Sequence, residues 1–172
     1  AVLLLPPAVA SRRAGRRIRG ALLRAGGVQC VIALPAGSAA PYGVSLHLWV
    51  LRAPDPSAAG TRREVLLVDA TAPGQRAGGG PQGIDWPELH EHVVTAVRAH
   101  VARSESKANG HSKVAAALPM GCVAVPVMDL LDDQVDLTPA RYVPDARASD
   151  GVQLRGSWQQ FEDLLHALSE LA

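Results

Sequence analysis

The stretch most able to do chemistry is Arg12-Arg13-Ala14-Gly15-Arg16-Arg17-Ile18-Arg19, with Arg24 a turn and a half further on. Guanidiniums grouped on one helical face can contact phosphates, which supplies charge without reading sequence and makes binding salt-dependent. The same pattern also describes a solvated surface helix in an arginine-rich chain, and this one has fifteen Arg and two Lys. The net charge of +1 hides an asymmetry: residues 1–63 hold nine Arg against Asp55, a net +8, while residues 64–172 carry −7. A basic half suits a polyanionic partner. The six His show no metal-ligand spacing, because His90 and His92 fall on different faces of a helix and His100 stands apart, so no metal is expected. Cys30 and Cys122 each lie in an apolar stretch and read as reduced core residues, the usage of a cytoplasmic protein. Gly78-Gly79-Gly80 lacks the Lys and Ser/Thr of a phosphate loop and the spacing of a dinucleotide fingerprint, so it reads as a loop.

The elements that must position these groups follow from pattern. Of the 172 residues, 48% are hydrophobic and 19% charged, enough for one real core. No apolar run reaches the roughly 18 residues that a membrane span needs. Residues 2–5 predict a buried strand stopped by Pro6-Pro7. Ser11 is the expected N-cap of a helix running to about Ala25, where Gly26-Gly27 ends it. On that helix Ala14, Ile18, Ala21, Leu22 and Ala25 are expected inside, with Arg12, Arg13, Arg16, Arg17, Arg19 and Arg24 outside. Residues 28–34 are too uniformly apolar to alternate, as for a strand covered on both faces. The short loop at 35–43 returns into a strand at 44–52, which implies an antiparallel pair; Trp49 is expected in the core and His47 at the sheet surface. A further strand spans 64–70. Asp85 caps a helix that runs to about Arg103, a polar linker follows at 104–112, and an edge strand lies within 114–128. Trp158, Phe161, Leu164, Leu165, Leu168 and Leu171 mark a C-terminal helix whose apolar stripe must dock on another chain or on further sequence.

Five blocks in order resemble the second half of the N6-adenine DNA methyltransferases of type I restriction-modification systems. They are Leu5-Pro6; Arg19-Gly20-Ala21-Leu22-Leu23; Val31-Ile32-Ala33-Leu34-Pro35; Leu48-Trp49-Val50-Leu51; and Asp136-Leu137-Thr138-Pro139-Ala140-Arg141-Tyr142-Val143, which is similar to that family's Asn-Leu-x-Pro-x-Arg-Tyr signature. Val65–Ala70 and Asp85-Trp86 agree with the elements between them. The resemblance implies an α/β fold: the C-terminal half of a class I, Rossmann-like methyltransferase sheet with an antiparallel final strand pair, plus a C-terminal helical tail. It divides the chain into 1–107, the C-terminal half of a catalytic domain; 108–150, a linker and hinge; and 151–172, an interaction helix. The missing initiator Met and the opening in mid-strand make a fragment the expectation.

The resemblance further implies S-adenosylmethionine as cofactor of the parent chain and double-stranded DNA as its partner. The family's Gly-rich cofactor loop and Asn-Pro-Pro-Tyr/Phe motif are not found here, so the fragment alone is expected to be inactive. Pro6-Pro7 is not that motif, because Leu5 stands where its Asn accepts hydrogen bonds from the adenine amino group. An adenine drawn out of the stack needs an aromatic face. The family's aromatic would fall near Ala39, which leaves Tyr42, with Pro35, as the target-base pocket, or else Tyr42 as a side chain capping the sheet. Arg12, Arg13, Arg16 and Arg17 are the expected DNA-backbone contacts. The C-terminal helix would meet a specificity subunit or a second copy. The alternative is a non-catalytic DNA-binding or assembly module that serves a separate methyltransferase or specificity subunit.

Overall fold

The computed structural model describes residues 1–39, 44–53, 64–72, 83–108 and 117–143. Tyr42, the Gly78–Gly80 run and the C-terminal helix from Trp158 to Leu171 lie outside these residues. Five strands, β1 (Val2–Leu5), β2 (Val28–Ala33), β3 (His47–Leu51), β4 (Glu64–Asp69) and β5 (Cys122–Pro126), form one sheet in the order β1-β3-β2-β4-β5. The expected antiparallel return is present as β2 against β3, with Val31 opposite Trp49. β3 also pairs antiparallel with β1, β2 pairs parallel with β4, and β4 pairs antiparallel with β5.

Alternation along the strands sends side chains into two apolar layers. Val31, Trp49, Val65 and Leu67 face α1 (Ala8–Ser11) and α2 (Arg16–Arg24), while Cys30, Ile32, Leu66 and Val68 face α3 (Trp86–Ala108). β2 is accordingly buried along almost its whole length, as a strand covered on both faces must be. β1 differs from its expectation. Val2, Leu3 and Leu4 are 61%, 43% and 46% exposed, because β1 is an edge strand with β3 on one side and no strand on the other among the described residues. Local sequence sets a strand's apolarity, but burial depends on what lies beside it.

The arginine helix is also built differently. Ser11 does not cap it: α1 ends there, a single 3-10 turn follows at Arg13–Gly15, and α2 begins at Arg16. Within α2 the face turned inward carries Arg19, Gly20 and Leu23, and Ile18 is 66% exposed, the reverse of the expected assignment for Ile18 and Arg19, because the inward face is the one whose Arg19 meets the Gln134 and Val135 carbonyls and whose Leu23 meets the sheet. The stop is as expected. Gly26 adopts φ 64°, with its N–H on the Leu23 carbonyl and the Gly27 N–H on that of Leu22, a Schellman ending.

Asp85 caps α3 by accepting from the Glu88 N–H at 3.2 Å. The helix continues to Ala108 through residues expected to be linker. Residues 117–143, read from sequence as edge strand and hinge, share the sheet through β5 and bury Leu130, Val135 and Leu137 in the α2-side core. Two short helices lie in this segment, α4 (Val127–Leu130) and α5 (Pro139–Tyr142).

Candidate nucleic-acid interface

Arg19 organises the site from within. Only 2% exposed, it uses all five of its N–H donors on main-chain carbonyls: Nε on Val135 (2.6 Å), Nη1 on Val9 (3.0 Å) and Arg12 (2.9 Å), Nη2 on Ser11 (3.3 Å) and Gln134 (3.1 Å). Burial pulls its pKa down and Asp136 opposes this, but a guanidinium stays protonated in a protein. Gly15, four residues before it, leaves the room. A Cβ there would sit 2.8 Å from Arg19 Nη1.

The turn that Arg19 grips is held from its other side by Asp132. One oxygen of that carboxylate accepts from the N–H groups of Gln134 (2.9 Å) and Val135 (2.6 Å), the other from Arg141 Nη2 at 3.1 Å. The Val135 N–H first, then Gln134 and Arg141, hold the Asp132 carboxyl below its ordinary pKa. Val135 takes φ 49°, a strained conformation for a β-branched residue, which persists because both its N–H and its carbonyl are claimed.

The Asp136–Val143 block is a packed clasp. Asp136 Oδ1 accepts from the Thr138 N–H, Pro139 starts α5, and the Tyr142 hydroxyl donates to the Asp136 carbonyl at 2.9 Å. Arg141 pairs with Asp132 and Asp136 and lies over the Tyr142 ring, 5.7 Å from its centroid. The Leu137 N–H joins the clasp to α1 through the Ala10 carbonyl.

Between α2 and this turn opens a groove of about 520 Å³, lined by Arg16, Arg17, Gly20, Arg24, Asp132 and Asp133 among others. Arg16 Nη1 donates to the Asp133 carbonyl at 2.7 Å. Of the expected backbone contacts, Arg12, Arg13, Arg16 and Arg17 are all exposed, and Arg16 and Arg17 reach the groove. Arg24, on the expected cationic face, lines it too, and Asp132 and Asp133 are lining residues that the sequence pattern does not mark. The available signal was the recurrence of Gly four residues before Arg, at Gly15–Arg19 and Gly20–Arg24.

Of the expected base pocket, Tyr42 lies outside the described residues and Pro35 does not line this groove. Pro35 is fully buried at the end of β2, and its carbonyl accepts from the Ser38 N–H and hydroxyl, closing a tight turn. His47, expected at the surface, is 4% exposed on the face that carries Trp49; burial lowers its pKa, with Asp69 and Asp136 opposing. Cys30 is buried and its thiol pKa pushed up, while that of Cys122, whose sulfur lies 3.7 Å from His92 Nε2, is pushed up to about 11 by burial. Neither is an activated nucleophile. Among the described residues no group of His, Cys, Asp or Glu could hold a metal ion, and no helix is long and apolar enough to cross a membrane.

The fold is similar to part of that of methyltransferase subunits from type I restriction-modification systems. It superposes on the type I restriction-modification system methyltransferase subunit from Streptococcus thermophilus with a TM-score of 0.62 at 22% identity, over 83% of this chain and 26% of that one. A chain from a structural study of complex assembly and conformational transition of the type I system gives a TM-score of 0.61 at 21% identity, over 99% of this chain and 35% of that one. The chain thus spans about a quarter to a third of the length of these neighbours. No protein-family model and no curated protein matches it.

Proposed function

We propose that this chain is a part of an S-adenosylmethionine-dependent DNA adenine N6-methyltransferase of a restriction-modification system and supplies the target-base side of its fold. The observation that carries the reading is the sheet. An antiparallel β3 is inserted between β1 and β2, and the outer edge of β1 bears Val2, Leu3 and Leu4 uncovered. A bare apolar edge of this kind calls for a neighbouring strand and covering layer, which the cofactor half of such an enzyme would provide. The fold neighbours and the five ordered sequence blocks support the same assignment.

No described residue of this chain offers a seat for the cofactor. The turn after β2 is closed on itself by Ser38, and no Gly-rich loop follows a strand among the described residues. What this part contributes is position. The loop at 35–43 with Tyr42 would stand at the target base, and Arg12, Arg13, Arg16 and Arg17 would hold duplex phosphates. The C-terminal helix would meet a specificity subunit or a second copy.

The test is methyl transfer. The chain joined to its upstream genomic sequence is expected to methylate adenine in duplex DNA, while the 172-residue chain alone is inactive; a folded but inactive longer protein refutes the enzyme reading. Phe161→Asp with Leu165→Asp is expected to abolish partner association and leave the sheet's thermal transition unchanged. The cationic groove favours a second reading, a DNA-binding module serving a separate methyltransferase, and an in-frame start codon immediately upstream would select it.

A further inference from the structure

The two Gly-to-Arg steps of the arginine segment use one steric device for two purposes. Gly15 lets the Arg19 guanidinium fold inward, where five carbonyls take all its protons. Gly20 lets Arg24 lie along α2, since a Cβ there would be 3.3 Å from Arg24 Nη1, but this guanidinium stays in the open groove. Arg17 and Arg24 have no hydrogen-bond or ion-pair partner among the described residues, whereas Arg16 is tied to the Asp133 carbonyl as a fixed wall.

Two carboxylates, Asp132 and Asp133, line the same groove. Asp132 is already engaged by two main-chain N–H groups and by Arg141, which leaves Asp133 as the one carboxylate without such partners among the described lining residues. Three guanidiniums therefore face two carboxylates, of which Asp132 is already engaged by Arg141, and the Arg24 guanidinium lies over Gly20, where a side chain would displace it. Charge-assisted bonds from guanidinium to phosphate oxygen are the strongest contacts such a surface can form.

We propose that the groove between α2 and the 131–135 turn seats a backbone phosphate of duplex nucleic acid, held by Arg17 and Arg24. The seat rests on the nucleic-acid partner proposed above and goes further, because it moves the principal contact from the outer face at Arg12 and Arg13 into the groove and adds Arg24. It also couples the bound backbone to the Asp136–Val143 clasp, since Asp132 is shared by the groove wall and Arg141.

The experiment measures binding of the full 172-residue chain to a short duplex of arbitrary sequence by fluorescence anisotropy at several salt concentrations. Each lost phosphate contact removes about 0.9 from the slope of log affinity against log salt, so Arg17→Gln with Arg24→Gln is expected to flatten it by about 1.8 for any sequence. Arg12→Gln with Arg13→Gln is expected to change it less. Gly20→Ala should weaken binding while holding or raising the melting temperature, because it improves helix propensity as its Cβ pushes the Arg24 guanidinium out of place. An unchanged slope in the folded Arg17/Arg24 variant, with a reduced one in the Arg12/Arg13 variant, overturns the seat and leaves DNA binding standing. Absence of duplex binding by the unmodified chain overturns both. If inorganic phosphate raises the melting temperature through Arg17 and Arg24 while the duplex does not compete, the groove is a free-anion site and the proposal fails.

Discussion

Replacing Arg19 with Met keeps a long unbranched side chain and removes all five donors, which isolates what the guanidinium does. One of its bonds, Nε to the Val135 carbonyl, is buried, so its loss costs about 1.5–3 kcal/mol, the range for a bond to a charged group. The other four are half-buried, where water can replace the donor at about 0.5 kcal/mol each. Together these give about 4 kcal/mol. For a chain of this size that lowers the melting temperature by roughly 8–16 °C. Arg19→Lys keeps a charge but has three donors on one atom, which cannot reach carbonyls spread over Val9–Arg12 and Gln134–Val135, so it should recover less than half of the loss. Hydrogen exchange supplies a local readout. The Leu137 amide, bonded to the Ala10 carbonyl across the same junction, should exchange faster in Arg19→Met, while the β2 and β4 amides follow only the global loss. A melting temperature within about 3 °C of the unmodified chain, with Leu137 still protected, refutes the reasoning.

Gly15→Ala places a Cβ 2.8 Å from Arg19 Nη1, and because that end is pinned by carbonyls it should destabilise the chain despite better helix propensity, as a denaturant midpoint would show. Tyr142→Phe removes the bond to the Asp136 carbonyl and should cost about 1 kcal/mol in urea unfolding. Burial keeps His47 neutral in the fold, so the unfolded chain takes up its proton first as pH falls. The stability contributed by the neutral ring is therefore complete above an ordinary pKa of about 6.5 and is lost as pH drops through that value toward the lower folded one. His92 is shifted in the same direction, so His47→Gln should reduce, and His47→Gln with His92→Gln largely remove, the decline in urea midpoint over this range.

Local chemistry made several elements readable from sequence alone. Asp85 caps α3 with its own carboxylate three residues before Glu88, and Gly26 ends α2 because the required φ of 64° suits a residue without a side chain. The uniform apolarity of β2 announced cover on both faces, and the short return after it announced the antiparallel β3. Five ordered blocks then pointed to the fold that the structural neighbours share. In each case the cause lies within a few residues of the signal, or in order along the chain.

Tertiary structure alone decided which arginine is interior and which strand is bare. Periodicity placed Arg19 with the other cations because nothing near it in sequence marks a need for burial; two of the carbonyls that hold it, those of Gln134 and Val135, lie 115 and 116 residues away. Which face of α2 turns inward is settled where Leu23 meets the sheet. β1 is as apolar as β2 yet exposed, because burial belongs to the neighbour and not to the strand. The groove likewise joins α2 to a turn more than a hundred residues later, so its charges could be counted in the sequence, but their convergence exists only once Arg19 has drawn the two segments together.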